Sequence, residues 1–102
     1  MKEYDKLIRD KIPEIIEADG KKCEVEVMDD EEYKEYLKDK LLEEAEEYVE
    51  SGEIEELADV LEVMKAIAEV EEVGFEEIEE MRKEKAEKRG RFEEKLKLLQ
   101  VY

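Results

Sequence analysis

One stretch, residues 53–73, limits what this chain can become. Wound at about 100° per residue, it carries Leu57, Leu61, Met64 and Ala68 in one apolar row and Val60, Val63, Ile67 and Val70 in a second. Glu55, Glu62, Lys65, Glu69 and Glu72 are left for solvent. A helix apolar over most of its circumference needs cover from several directions. In a chain of 102 residues with three main helices, that cover is expected from a second copy.

The same stretch places acids where leucines belong. Glu56 falls inside the row of Val60, Val63 and Ile67, and Asp59 falls beside Ala66 and Val70. The preceding helical stretch, about 30–50, has Tyr33, Leu37, Leu41, Ala45 and Tyr48 as its apolar stripe. Glu44 points between Leu37 and Leu41, and Glu47 sits on the edge of the stripe beside Lys40. Residues 50–53, with Ser51 and Gly52, form a short break that folds the two helices antiparallel. Burying unpaired carboxylates costs several kcal/mol each, and four converging ones repel or take up protons. A divalent cation removes both problems, and all-carboxylate ligation suits hard ions, Mg²⁺ first and Mn²⁺ as its substitute. A chain with 35 acids produces the spacings ExxE and ExxD by chance. Four acids landing together on apolar arcs favour a metal site built from Glu44, Glu47, Glu56 and Asp59.

Charge narrows the partners. The 35 acids face 18 bases, a net charge of −17, which disfavours nucleic acid polymers and anionic membranes. No apolar run reaches the ~20 residues of a membrane span, and the opening Met1 to Lys6 has no signal-type apolar core, so a cytoplasmic location is expected. Cys23 is the only cysteine and there is no histidine, which excludes an internal disulfide, a Cys/His zinc site, a catalytic triad and a Glu-x-x-His di-iron centre. Asn and Thr are absent, and Ser51 and Gln100 are the only residues of their kinds. Low amide content with abundant Glu and Lys is a heat-adaptation pattern, so a thermophilic source is expected.

In chain order, Pro13 opens a helix of about one and a half turns over 13–18, closed by Gly20. Cys23-Glu24-Val25-Glu26-Val27 alternates with period two and reads as a short strand or extended segment, with Cys23 as a small buried hydrophobe. Asp29 and Asp30 cap the helix over 30–50, and Gly74 closes the one over 53–73. A further helix runs over 75–89, with Arg82, Lys85 and Arg89 sharing one face near Ile78 and Met81. This row is either a solvated basic stripe or a clamp for an oligophosphate. Arg9, Lys11 and Lys40 are further candidates for phosphate contact, against ordinary surface charge. The segment from Phe92 to Val101, with Leu96, Leu98 and Leu99, is an extended, partly apolar tail expected to pack over the bundle or pair with 23–27. The fold expected is one all-α domain over 1–102, an antiparallel helical bundle completed by oligomerisation, as a homodimer or a tetramer.

Four carboxylates opposite a basic face suit a metal-bound polyphosphate, and with no GxxxxGK[ST] in the chain the chemistry is not that of a P-loop. Glu43-Glu44-Ala45-Glu46-Glu47 followed by Glu56-Leu57-Ala58-Asp59-Val60 resembles the ExxE…ExxD signature of the all-α nucleoside triphosphate pyrophosphatases, the MazG-like and phosphoribosyl-ATP pyrophosphohydrolase-like proteins. The opening Tyr4 to Pro13 and the later Lys85 to Phe92 are similar to the corresponding parts of small members of that superfamily. The gap between Glu47 and Glu56 is shorter than in many of them, and Arg91 stands where glycine is expected. The resemblance implies a Mg²⁺-dependent oligomeric bundle that cleaves nucleoside triphosphates between the α and β phosphates, in nucleotide-pool house-cleaning. It implies Glu44, Glu47, Glu56 and Asp59 as metal ligands, with Lys85 and Arg89 toward the phosphates. Phosphoribosyl-ATP is the alternative substrate. The alternative from another class is a dimeric helical interaction or metal-binding module without turnover.

Overall fold

A computed structural model describes residues 4–102 as four helices with no strand among them. The expected absence of a signal segment touches residues 1–3, which lie outside the described residues. The helices are α1 (Ile12–Ala18), α2 (Asp30–Ser51), α3 (Glu55–Val70) and α4 (Phe75–Arg89). No helix is long and apolar enough to cross a membrane.

The long helix α2 begins where its sequence stops the preceding chain. Asp29 is the N-cap, and its carboxylate accepts a hydrogen bond from the Glu32 N–H at 2.9 Å. Asp30, Glu31 and Glu32 follow in the first turn, where the exposed N–H groups favour negative charge. At the other end Gly52 takes the left-handed conformation, φ 69°, and donates its N–H to the Tyr48 carbonyl at 2.7 Å. With so short a connection, α3 must run back along α2. Two contacts mark the antiparallel register. The Lys34 ammonium lies 3.4 Å from the Glu71 carboxylate at one end, and Glu44 meets Glu56 and Asp59 toward the other.

The bundle is thin. Leu37, Val63 and Ala68 are the only fully buried hydrophobic residues among those described. Tyr33, Leu41, Ala45 and Tyr48 of α2 and Val60, Ile67 and Val70 of α3 are half-buried around them. The apolar rows therefore meet as expected along one seam, and the expected solvent face of α3 is exposed. The row of Leu57, Leu61, Met64 and Ala68 is open at its start: Leu57 is 41% and Leu61 47% exposed, with nothing among the described residues covering the first turns of α3.

Helix α3 is also shorter than the expected 53–73. Glu72 is left-handed, φ 59°, and the Val73 N–H reaches back to the Ala68 carbonyl at 2.9 Å, which stops the helix before Gly74. Helix α4 starts at once and packs sparsely on α3, with the Lys65 ammonium 5.8 Å from the centre of the Phe75 ring. Helix α1 packs on no other helix. The stretch before it is tied to the hairpin by polar contacts. The Tyr36 hydroxyl donates to the Asp5 carboxylate, and that hydrogen bond pushes the phenol's pKa up to about 12. Cys23 is half-buried and free. Residues 23–27 are not part of a strand, and the segment after α4 forms no strand and packs on no helix among the described residues: Phe92 is 98% and Leu96 86% exposed.

Candidate metal centre

The α2–α3 seam carries the site. Glu44 lies on the inward stripe of α2, on the turn after Leu37 and Leu41, so folding the hairpin buries it to 7% exposure. It is the one buried charged side chain among the described residues. Carboxylate oxygens of Glu43, Glu44 and Glu47 lie within 4.8 Å of one another, and so do those of Glu44, Glu56 and Asp59. Glu44 is common to both sets and joins them into one five-acid cluster across two helices. The spacing explains each member. Glu43 and Glu47 are one turn apart on α2, Glu56 and Asp59 nearly one turn apart on α3, and antiparallel packing sets the pairs against Glu44.

Two cations brace the cluster. The Lys40 ammonium, one turn before Glu44 and itself largely covered, lies 3.2 Å from the Glu44 carboxylate and 3.5 Å from that of Glu43. The Arg9 guanidinium crosses from the opening stretch to donate to the Asp59 carboxylate at 2.7 Å. They do not neutralise the whole cluster. The Glu47 carboxyl has a raised pKa, first because of its hydrogen-bonding approach to Glu44 and next because of the Glu44 charge, with smaller contributions from burial, Glu56 and Glu43. The Glu56 carboxyl is raised too, first by loss of hydration and then by the charge and hydrogen bond of Asp59, with Glu44 and Glu55 behind them.

The donor set fits a hard divalent cation. All five candidates offer carboxylate oxygen, and there is no nitrogen or sulfur donor in the cluster. Octahedral Mg²⁺ at about 2.1 Å from its ligands sets neighbouring oxygens about 3 Å and opposite ones about 4.2 Å apart, so each set, already within 4.8 Å, would contract around a bound ion.

All four acids expected from the sequence meet here, and Glu43 joins them. Its signal was available: it precedes Glu47 by one helical turn inside the same acidic run. The bases are distributed differently from expectation. Arg9 reaches the cluster, and Lys40 reaches it through Glu43 and Glu44 rather than Glu47. Lys11 is exposed at the N-cap of α1. Arg82 is held within α4 by the Glu79 carboxylate, its Nε–H donating at 3.0 Å, which lowers the Glu79 pKa. Lys85 and Arg89 are exposed on the same helix. Since α4 does not pack on α2, these three bases do not face Glu44 and Glu47 within one chain. An open cleft of about 500 Å³ lies at the end of α4, lined by Arg82, Lys83, Gly90 and Arg91 but also by Glu87, Glu93 and Glu94, apart from the acidic cluster. Compared with protein-family models, with curated proteins and with solved structures, the chain matches none.

Proposed function

We propose that this chain is a Mg²⁺-dependent pyrophosphohydrolase of nucleoside triphosphates, cutting the bond between the α and β phosphates to release a nucleoside monophosphate and pyrophosphate. The observation that carries the reading is Glu44: a carboxylate buried where two helices meet, shared by two sets of acids drawn within 4.8 Å. A packed hairpin gains little from burying such a charge, which Lys40 offsets while four further acids crowd around it. Glu44, Glu47, Glu56 and Asp59 are the proposed ligands, and Glu43 completes the rim. A bound Mg²⁺ polarises a phosphoryl oxygen and makes a coordinated water more acidic. Whichever of these carboxylates is left uncoordinated would orient the attacking water and take its proton. Arg9 and Lys40 occupy the cluster as cations, so ligation releases them toward the phosphates of an incoming substrate. Arg82, Lys85 and Arg89 contribute only in an assembly that brings an α4 over the site, and Lys11 stays a peripheral candidate. The open row at Leu57 and Leu61 supports a homodimer, with a tetramer as the larger alternative. The physiological role proposed with this reading is clearance of non-standard nucleotides in the cytoplasm.

Incubation of the pure protein with Mg²⁺ and a panel of nucleoside triphosphates and phosphoribosyl-ATP tests the reading. Pyrophosphate with the monophosphate is expected, with turnover lost on chelation and reduced at least ~100-fold by Glu44→Ala. Preference for phosphoribosyl-ATP would leave the chemistry and change the substrate. Orthophosphate as product would refute the assignment of the bond. One observation favours a second reading, a metal-binding interaction module: Lys40 and Arg9 already pair with Glu44 and Asp59. That reading predicts Mg²⁺ binding with no turnover of any compound in the panel.

A further inference from the structure

Two exposed runs of the chain have no backbone partners. Residues 22–28 lie between α1 and α2, and residues 96–102 follow α4. Neither makes a backbone hydrogen bond to another described residue. Neither contains proline or a residue of positive φ, so every position can donate and accept in a ladder. Lys95, just before the second run, is left-handed at φ 59° and sets a corner there, with its N–H 3.4 Å from the Phe92 carbonyl.

The side chains of the two runs match. Cys23, Val25 and Val27 alternate with Glu24 and Glu26, while Leu96 and Leu98 alternate with Lys97, and Lys95 precedes on the lysine side. Val27 is 95% exposed and Leu98 80%, so both apolar faces lack cover. Residues 91–102 hold three bases against two acids, a charge of +1, which leaves −18 on the remaining residues. Opposite charges and like faces thus recur with the same period of two.

We infer that residues 23–27 of one copy pair as a β-ladder with residues 96–101 of a second copy. In a parallel register Val25 and Val27 then meet Leu96 and Leu98 on one face, and Glu26 meets Lys97 on the other, with Glu24 beside the Lys95 corner. The occupant is a second copy because α4 packs only on α3 and carries the basic run away from the hairpin, in a molecule 60 × 32 × 24 Å in extent. Two-fold symmetry makes the contact twice and closes both unpaired edges, which would otherwise invite uncontrolled association. The inference does not rest on the phosphohydrolase reading, since neither run contains an acid of the cluster.

Charge reversal tests it. Three variants of the full chain are compared with the wild type: Glu24→Lys with Glu26→Lys, Lys95→Glu with Lys97→Glu, and all four together. The readout is hydrogen exchange of the amides in 96–101. In the wild type these amides should exchange at least about tenfold more slowly than in an unstructured peptide. Each double variant alone should lose that protection, and an equal mixture of the two should regain it, because only a ladder between copies can join the new lysines to the new glutamates. Circular dichroism confirms that the helices are unchanged. Unprotected amides in the wild type overturn the inference, as does protection that survives in a double variant alone. A mixture that stays unprotected also overturns it, and recovery in the four-fold variant alone would then place the ladder within one chain.

Discussion

Glu44 shows how one side chain can dominate a site. Its neighbours on the α2 stripe are Leu37, Leu41 and Tyr48, and packing that stripe on α3 takes Glu44 out of water with them. Lys40 compensates part of its charge, and Glu44 raises the proton affinity of Glu47, whereas that of Glu56 is raised first by lost hydration and then by Asp59. The sign of the consequence follows from linkage. A carboxyl whose folded pKa lies above its unfolded value binds protons more readily in the folded state, so the metal-free protein loses stability as pH rises from the ordinary carboxylate range through the raised values. In chelator, the melting temperature should therefore fall as pH rises above the ordinary carboxylate range. The double substitution Glu47→Gln with Glu56→Gln should flatten that slope, and a slope equal to the wild type's would show that general charge repulsion causes it. Saturating Mg²⁺ should reverse the trend in the wild type, because protons and cation compete for the same oxygens.

At the scale of elements, helix ends are set by a few residues. Gly52 supplies the left-handed turn that α2 needs, with nothing within 4 Å of where a Cβ would stand, so its requirement is purely conformational. Glu72 adopts the same backbone region without being glycine. Left-handed conformation costs an ordinary residue about 1 kcal/mol or more, so Glu72→Gly should stabilise the fold by up to ~1 kcal/mol, read as a higher denaturant midpoint with unchanged slope. A lower midpoint would show that Glu72 makes a compensating contact. Helix α4 holds itself through Arg82 and Glu79 and leans on α3 only near Phe75, so its basic row is poised outside the bundle rather than over the acids.

At the scale of the whole molecule, the chain has more apolar surface than it can bury alone. Three fully buried hydrophobic residues are a small core for 102, and Leu57, Leu61, Leu42 and Val49 remain largely exposed. The mass in solution should be about twice 12.2 kDa, or a higher multiple. Leu57→Lys with Leu61→Lys should lower it toward 12.2 kDa in sedimentation equilibrium. Unchanged mass in that variant would move the interface elsewhere. With −17 on so small a body, assembly should also strengthen as salt rises, since screening weakens repulsion between copies more than it weakens apolar contact.

Helix identity, the α2–α3 turn and the four carboxylates could be read from periodicity and spacing. These are local properties: Leu37, Leu41 and Glu44 share a face of any helix that contains them, and Gly52 breaks any helix that reaches it. Charge and the absence of histidine limited the donor chemistry to carboxylate oxygen just as locally. What required tertiary structure was everything that joins distant residues. Only the antiparallel register could show that Glu44, beside Glu43 and Glu47 on its own helix, also meets Glu56 and Asp59. Only the fold brought Arg9 across 50 residues to Asp59 and kept Lys85 and Arg89 away from α2. Periodicity specifies the face of a helix on which a side chain stands. Which other face it meets depends on loop geometry and on the competition among all apolar surfaces for cover, and no single stretch of sequence contains that competition.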